Sequence, residues 1–265
     1  MGEGLWTAFI VALIGGVVDL DSTATWQFMV SQPIVAAPLT GLFLGLAVNQ
    51  TAAGLKLGLV VGAILQLVWI EQLPLGMNVP PDAALASVLS VALGFLAGHR
   101  YDSYVEREVC STVALLLSVA LGLLGRSLDM FVRRVNTSIN HWVERQLEDG
   151  KAWAPAFGHT LGGVATFTKA FLFCFFVTWL GVEPLRYFTK SLNFAQNTGF
   201  IVIQGLLPAV GFAVLASMCV LSQREFRAFL AGLALFTVLP ASIWLALPLA
   251  LAAGWYFTRT ADGAA

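Results

Sequence analysis

The sequence is short of charged residues. Only 11% of its 265 residues are charged, with 14 Lys or Arg and 15 Asp or Glu, whereas a soluble domain carries roughly 25%. So few ionisable side chains cannot cover the surface of a water-soluble protein of this size, which excludes an ordinary cytosolic enzyme and a disordered chain. The formal net charge of -1 provides no positive field for phosphates, so a nucleic-acid partner is excluded as well.

Reactive and metal-binding patterns are also scarce. The three cysteines (Cys110, Cys174 and Cys219) are widely spaced within apolar runs and predict neither a disulfide framework nor a metal site. The three histidines lie far apart without metal-ligand spacing, and no Walker A, GxGxxG or GxSxG motif occurs. The sequence therefore predicts no catalytic residue, no metal site and no cofactor.

Apolar residues dominate instead, at 58% of the chain with a mean hydropathy of +0.82. Because a helix needs about 20 residues to cross a bilayer, we predict an all-α, polytopic integral membrane protein. Several early runs are short and interrupted by Gly or Pro, which is typical of broken or re-entrant helices in transporters. The other interpretation is that short spanning helices are accommodated by tilting or by thinning of the bilayer. The last run is too long for one crossing and predicts a break near Pro240. The runs are Leu5–Val18, Ile34–Val48, Gly54–Ile70, Ala83–Ala97, Val109–Val132, Leu161–Val182, Thr198–Leu221 and Phe226–Phe257.

The charges divide one membrane domain, residues 1–265, into three parts. Residues 1–98 hold six charges and the candidate site, residues 99–151 hold fourteen and form a charged connector, and residues 152–265 hold the C-terminal membrane helices. Residues 132–147 have amphipathic helical spacing and predict an interfacial helix or an extension of the preceding span. The lack of Lys and Arg before residue 56 predicts a non-cytoplasmic N-terminus by the positive-inside rule.

Polar side chains interrupt the apolar sequence between residues 66 and 87, where three prolines break the helix. Asp82 precedes a run of good helix formers, so one interpretation is that it only caps a helix at the membrane edge. The other is that the broken helix brings carboxylate and amide groups to a polar cavity, since unpaired charge at membrane depth is expensive. Sugar hydroxyls are bound by such groups beside an aromatic ring. The candidates are Gln66, Trp69, Glu71, Asn78 and Asp82.

A second polar group lies between the first two apolar runs. Asp21 and Gln27 are further candidates for sugar binding, although a solvent-exposed loop is the preferred interpretation for Asp19 and Asp21. Lys56 is either the cation partner of one of these acids or an interfacial side chain that snorkels to water. Glycines spaced four residues apart at Gly41/Gly45 and at 54, 58 and 62 predict close helix–helix contacts.

The runs SQPIVAAPLTGLFLGL (31–46) and GLKLGLVVGAILQLVWIEQLPLGMNVPPDAALAS (54–87) resemble membrane subunit IIC of the mannose/fructose/sorbose family of the bacterial phosphotransferase system. QLVW (66–69) and PPDAALAS (80–87) are the most specific motifs. Further similarity lies in RRVNTSINHW (133–142), WAPAFGHT (153–160) and LLPAVGFAVLASM (206–218), so the resemblance covers essentially the whole chain.

The resemblance implies a sugar permease subunit in the bacterial inner (cytoplasmic) membrane that is not itself an enzyme. It implies a hexose or related sugar as substrate, a IID membrane partner, and soluble IIA and IIB proteins that carry the phosphoryl group. It also implies an elevator-like transport movement and a homotrimer of IIC–IID units in the lipid bilayer. Many relatives have glutamate at the position of Gln66 and glycine near Glu71, so the preferred sugar stays open.

Two other classes of function remain. An ion- or proton-coupled solute transporter is suggested by the acidic side chains of Asp19, Asp21, Glu71 and Asp82, which could relay protons. A membrane scaffold would instead recruit soluble partners through residues 133–151. Uptake without a phosphoryl donor would favour the first alternative, and tolerance of apolar substitutions in 66–82 would favour the second.

Overall fold

Seven α-helices make up the described part of the computed structural model, which covers residues 2–70, 79–219 and Phe226. No strand occurs within those ranges, which confirms the all-α prediction. The helices are α1 (Gly2–Thr23), α2 (Pro33–Ala47), α3 (Thr51–Val68), α4 (Ala83–Gly98), α5 (Tyr104–Glu148), α6 (Ala154–Ser191) and α7 (Phe194–Cys219).

Five of these helices, α1, α3, α5, α6 and α7, contain stretches long and apolar enough to cross a membrane. Helices α2 and α4 have 15 and 16 residues, fewer than the about 20 that a crossing needs, which agrees with the short early runs in the sequence. Residues 1–214 form one compact unit, and a second begins at Leu215. The predicted break near Pro240 lies outside the described residues.

Helix α4 is the centre of the first unit. All residues from Ala84 to Gly98 are buried, because the helix is apolar on every side and is packed by α1, α2, α3, α5 and α6. Leu85 and Leu89 are fully buried in its main cluster, beside Val11 and Val18 of α1. A helix that is hydrophobic all round is expected to be buried in this way. Its two ends are therefore held firmly, and both carry polar groups.

Helices α2 and α3 form a tight antiparallel pair through their glycines. A Cβ atom placed on Gly41 would overlap the carbonyl oxygen of Gly54, and one placed on Gly58 would lie 2.5 Å from the carbonyl oxygen of Ala37. Only glycine permits this approach of the two backbones, so the close contact predicted from the glycine spacing is confirmed.

Helices α5 and α6 are longer than one crossing. Helix α5 has 45 residues and is about 68 Å long at 1.5 Å per residue. Its amphipathic stretch continues the same helix, so the predicted extension of the preceding span is confirmed. Trp142 of α5 contacts Trp153 and Phe157 at the connection to α6, with ring centroids 5.8–6.0 Å apart.

Candidate functional site

A buried ion group joins four elements of the fold. The ammonium Nζ of Lys169 lies 2.7 Å from Asp19 Oδ2, 3.5 Å from Asp82 Oδ2 and 2.7 Å from Asp129 Oδ1. The side chains of Lys169, Asp19 and Asp82 are only 3–5% exposed, and that of Asp129 is 31% exposed. The group therefore ties α1, the start of α4, α5 and α6 together in an apolar setting.

Asp82 reaches this group because the local backbone holds it from three sides. Its Oδ1 accepts a 2.9 Å hydrogen bond from the amide of Leu85, which caps α4 as the sequence predicts. Its own amide donates to the carbonyl oxygen of Gly122 on α5. A Cβ on Gly125 would lie 2.7 Å from the Cβ of Asp82, so a glycine is needed where α5 passes. Asp82 is thus both a helix cap and part of a buried ionic contact.

The prediction that Asp19 and Asp21 lie in a solvent-exposed loop is wrong. Both belong to α1, and each is only 2% exposed, because the last turns of the helix pack beneath the chain that follows. Asp19 contacts Lys169 at a distance typical of an ion pair, although the contact is not aligned as a hydrogen bond. The cation partner is therefore Lys169, and Lys56 is exposed on α3.

Asp21 instead organises the loop between α1 and α2. Its carboxylate oxygens accept hydrogen bonds of 2.6 Å from the amide of Phe28 and 3.0 Å from the amide of Ser31. The loop contains Gln27 in a left-handed conformation, with φ 55°, and Gln27 is exposed. Trp26 and Phe28 stack with centroids 6.3 Å apart and are 61% and 74% exposed. The loop therefore presents an aromatic surface beside an amide.

Gln66 lies at the other edge of this loop, in the last turns of α3. Its Oε1 accepts a 3.2 Å hydrogen bond from the amide of Ile34, and its Nε2 donates to Gln32 Oε1 at 3.1 Å. It therefore binds one of the free amides at the start of α2. Trp69 follows α3, and its Nε1 is buried without a hydrogen-bond partner among the described residues. A buried indole N–H normally has a partner.

The structure thus divides the predicted site residues between two hydrogen-bonded groups. Gln66 belongs to the group at the start of α2, near the loop that Asp21 supports, whereas Asp82 belongs to the ion group. Glu71 and Asn78 lie outside the described residues.

Sequence reasoning missed Lys169 and Asp129. Each interrupts one of the predicted apolar runs, Leu161–Val182 and Val109–Val132, and an ionisable residue within a membrane helix signals a functional or structural contact. The three carboxylates have oxygens within 4.8 Å of one another, a spacing that could suit a metal ion, but the Lys169 ammonium already lies within reach of all three. Three carboxyl groups share one ammonium, so loss of Lys169 would leave buried acidic groups without their compensating charge.

Comparison with known proteins agrees with this fold. The family model described as the PTS system sorbose-specific IIC component matches residues 5–255. The mannose-specific EIIC component of Escherichia coli K12 is 24% identical over 79% of this chain and 71% of the relative. The sorbose-specific EIIC component of Klebsiella pneumoniae is 27% identical over 84% and 76%. The fructose permease IIC component of Bacillus subtilis is 25% identical over 79% and 70%.

Two solved structures share the fold at 20% identity, and each match covers 97% of this chain and 96% of the other. One, described as a membrane protein, has a TM-score of 0.65. The other is the mannose transporter ManYZ in complex with microcin E492, with a TM-score of 0.53. The apolar helices of the present chain, its family and its relatives together define it as a multi-pass transport protein of the bacterial inner membrane.

The chain belongs to the sorbose-specific IIC family of the phosphotransferase system, the PTS. It is accordingly a sugar permease subunit, and phosphoryl transfer is the task of the IIA and IIB components rather than of this chain.

Proposed function

We propose that this subunit binds a hexose or a related sugar beside the break between α3 and α4. The sugar site would comprise Gln66, Trp69 and Asp82, together with Glu71 and Asn78 from the intervening segment and Asp21 and Gln27 from the α1–α2 loop. Carboxylates and amides can accept or donate to sugar hydroxyls, and an indole ring can cover the apolar face of a sugar.

The observation that carries this proposal is the indole N–H of Trp69, which has no hydrogen-bond partner within residues 2–70 and 79–219. It is buried at the end of α3, three residues after Gln66, where leaving a donor unsatisfied costs about 1–3 kcal/mol. A sugar hydroxyl is a suitable acceptor for that N–H. The amide of Gln66 adds acceptor and donor atoms at the start of α2.

We further propose that Asp21 acts on the sugar through the loop. Its two hydrogen bonds to the loop amides fix the position of Gln27 and of the exposed rings of Trp26 and Phe28. Asp82 would act in a similar way, because its contact with Lys169 fixes the start of α4. Asp21 and Asp82 therefore also position the rest of the site, so their loss would change it beyond any contact that they make with sugar.

The names of the relatives support the class of substrate and the partners. Those relatives are named for mannose, fructose and sorbose, and the ManYZ structure is named as a mannose transporter. We propose that this chain likewise pairs with a IID subunit, receives phosphoryl groups through soluble IIA and IIB proteins, and assembles as a homotrimer of IIC–IID units.

Sugar uptake by Trp69 variants tests the site. Trp69→Phe keeps a ring but removes the indole N–H, and we expect the KM for mannose, fructose or sorbose uptake to rise about fivefold, since one hydrogen bond contributes about 1 kcal/mol. Gln66→Ala is expected to raise KM in the same direction. Trp153→Phe, a change at an exposed residue far along the chain, serves as the control. Unchanged uptake by both site variants would contradict the proposed site.

The buried ion group is the one observation that favours ion or proton coupling as a second candidate function. Three carboxylates face a single ammonium, and an intramembrane carboxyl of this kind can exchange protons. A dependence of uptake on a pH gradient, lost in Asp129→Asn, would support this candidate.

A further inference from the structure

A polar cavity lies at the opposite end of α4 from the ion group. It has a volume of about 850 Å³ and is formed by the start of α1, the α2–α3 turn, the end of α4 and the middle of α6. This volume is within the range of pockets that bind small molecules. Its distinctive lining residues are Trp6, Asn49, His99, Thr178, Trp179 and Arg186.

The hydroxyl of Thr178 is the sharpest sign that the cavity binds a ligand. Thr178 is 1% exposed, and its Oγ1 has no hydrogen-bond partner among the described residues. Thr160, Thr166 and Thr189 on the same helix each donate to the carbonyl oxygen four residues earlier. The Thr178 hydroxyl therefore lacks the hydrogen bond that these other threonines of α6 make, and Thr178 is one of the residues that line the cavity.

The polar wall of the cavity is fixed in place by Arg186. Its Nη2 donates a 2.8 Å hydrogen bond to the carbonyl oxygen of Leu96, and its Nε donates to that of Ala97 at 3.4 Å. These are free carbonyls at the end of α4. Arg186 also pairs with Glu183 at 2.5 Å, and the Glu183 side chain is 71% exposed. A guanidinium and a carboxylate are thus held at the wall before any ligand arrives.

His99 adds a hydrogen-bond acceptor. Its Nδ1 lies 2.9 Å from the carbonyl oxygen of Leu96, so the ring donates from that atom and leaves Nε2 as an acceptor when it is neutral. Burial lowers the pKa of His99 below its ordinary value of 6.5, although its contact with Leu96 opposes the shift, and the charges of Arg100 and Arg186 lower it further. The neutral ring is therefore favoured at neutral pH.

Two indole rings complete the lining. Trp6 and Trp179 are 60% and 45% exposed, and each is supported by neighbouring rings, Trp6 by Phe9 and Trp179 by Phe175 and Phe176. Aromatic faces beside hydroxyl, amide and charged hydrogen-bonding groups suit a neutral ring that carries many hydroxyls. An apolar ligand would leave the Thr178 hydroxyl unpaired.

The cavity also lies on the side from which sugar would enter. Thr178 is nine residues from Lys169 on α6, about 14 Å along the helix. The first 55 residues hold no Lys or Arg, which by the positive-inside rule predicts that the start of α1 is not cytoplasmic. The N-terminal end of α1, which lines the cavity, then faces outward.

We propose that this cavity is an outer binding site that captures a neutral hexose before it reaches the site between α3 and α4; the proposal rests on the function proposed above. Thr178, Asn49, Glu183 and His99 hydrogen-bond the hydroxyls, and Trp6 and Trp179 cover the ring. The outer site raises the local concentration of sugar at the entrance, so its loss weakens uptake at low sugar concentration and leaves the maximal rate unchanged.

The experiment measures mannose binding to the full chain in nanodiscs and mannose uptake by the assembled system. Thr178→Val removes the hydroxyl at nearly constant volume, and we expect about fivefold weaker binding at the outer site and a higher KM for uptake with the same maximal rate. Thr178→Ser is expected to restore both values. Thr160→Val is the matched control, because the Thr160 hydroxyl is already bonded within α6.

Combination with Trp69→Ala separates the two sites. The Trp69→Ala variant is expected to lose mannose binding at the inner site and to keep it at the outer site. Adding Trp179→Ala is expected to abolish the remaining mannose binding. Binding and KM in Thr178→Val equal to those of Thr160→Val would overturn the outer site while uptake by the wild type still supports the proposed function. Recovery of a tightly held lipid from the cavity, not displaced by mannose, would also overturn it. Failure of the wild type to bind or take up any of mannose, fructose and sorbose would refute the proposed function instead.

Discussion

Lys169 is the residue on which the buried charges depend. One ammonium faces the carboxylates of Asp19, Asp82 and Asp129 at 2.7–3.5 Å. This is a buried ionic contact and differs from an ion pair at the protein surface. Surface ion pairs contribute little, but removing one partner of a buried group leaves charge without compensation. The stability of the junction between α1, α4, α5 and α6 should therefore respond strongly to this residue.

We predict that Lys169→Met lowers the free energy of unfolding by about 3–5 kcal/mol, because three carboxylates are then left together in an apolar setting. Lys169→Arg should retain more of the stability, since it keeps the positive charge. The measurement is thermal or denaturant unfolding of the purified chain in detergent. Lys151→Met is the control, because Lys151 is 43% exposed and pairs only at the surface. Equal losses in the two Met variants would show that the ion group does not stabilise the fold.

Single residues also show where sequence reasoning reached its limit. The cap at Asp82 could be predicted, because a polar residue after proline and before good helix formers is a local signal. The burial of Asp19 and Asp21 could not be predicted from the sequence, because it depends on which face of α1 meets α6 and on how the following loop folds back. Lys169 carries a signal of its own, a lone charge within an apolar run, but its partners lie 40 to 150 residues away in sequence.

At the scale of elements, the contact between α2 and α3 depends on glycines that let the two helix backbones touch directly. The carbonyl oxygen of Gly54 lies where the Cβ of any other residue at position 41 would be, and Gly58 meets the backbone of Ala37 in the same way. Without a hydrophobic driving force between helices in lipid, such close packing holds a helix pair together. This pair in turn positions Gln66 at the start of α2.

Gly41→Ala is expected to separate the two helices and to lower the free energy of unfolding by about 1–3 kcal/mol, the usual cost of overpacking. Loss of the Gln66 hydrogen bond to Ile34 should accompany it, so the KM for sugar uptake should rise as well. Unfolding and uptake assays on the same preparation check both effects. The matched variant is Gly205→Ala on α7, where a Cβ would meet no atom within 4 Å. If the two alanine variants behave alike, close backbone packing is not what holds α2 against α3.

The helices themselves were largely accessible from the sequence. Apolar runs predicted each described helix, and the glycine spacing predicted the α2–α3 contact, because both signals are local. The uninterrupted passage from the apolar to the amphipathic part of α5 left two alternatives open in the sequence, since helical periodicity does not show where a helix leaves the membrane. Only the structure decides between them.

At the scale of the whole molecule, polar groups occupy both ends of the buried helix α4. The ion group lies at its start, and the cavity with Thr178 and Arg186 lies at its end. The family could be predicted from motifs spread along the chain, because each motif is a continuous stretch of sequence that can be recognised without the structure. The cavity at the end of α4 could not be predicted, since its residues come from four separate elements and none of them forms a motif.

The most direct test of the central claim is to identify the chemical form in which the transported sugar accumulates. Membrane vesicles containing this chain and its membrane partner are supplied with labelled mannose, fructose or sorbose, phosphoenolpyruvate and the soluble phosphocarriers, and the form of the accumulated sugar is measured. The account predicts sugar phosphate inside the vesicles, formed only with phosphoenolpyruvate and insensitive to collapse of a pH gradient. Accumulation of free sugar that follows the pH gradient and continues without phosphoenolpyruvate would contradict it.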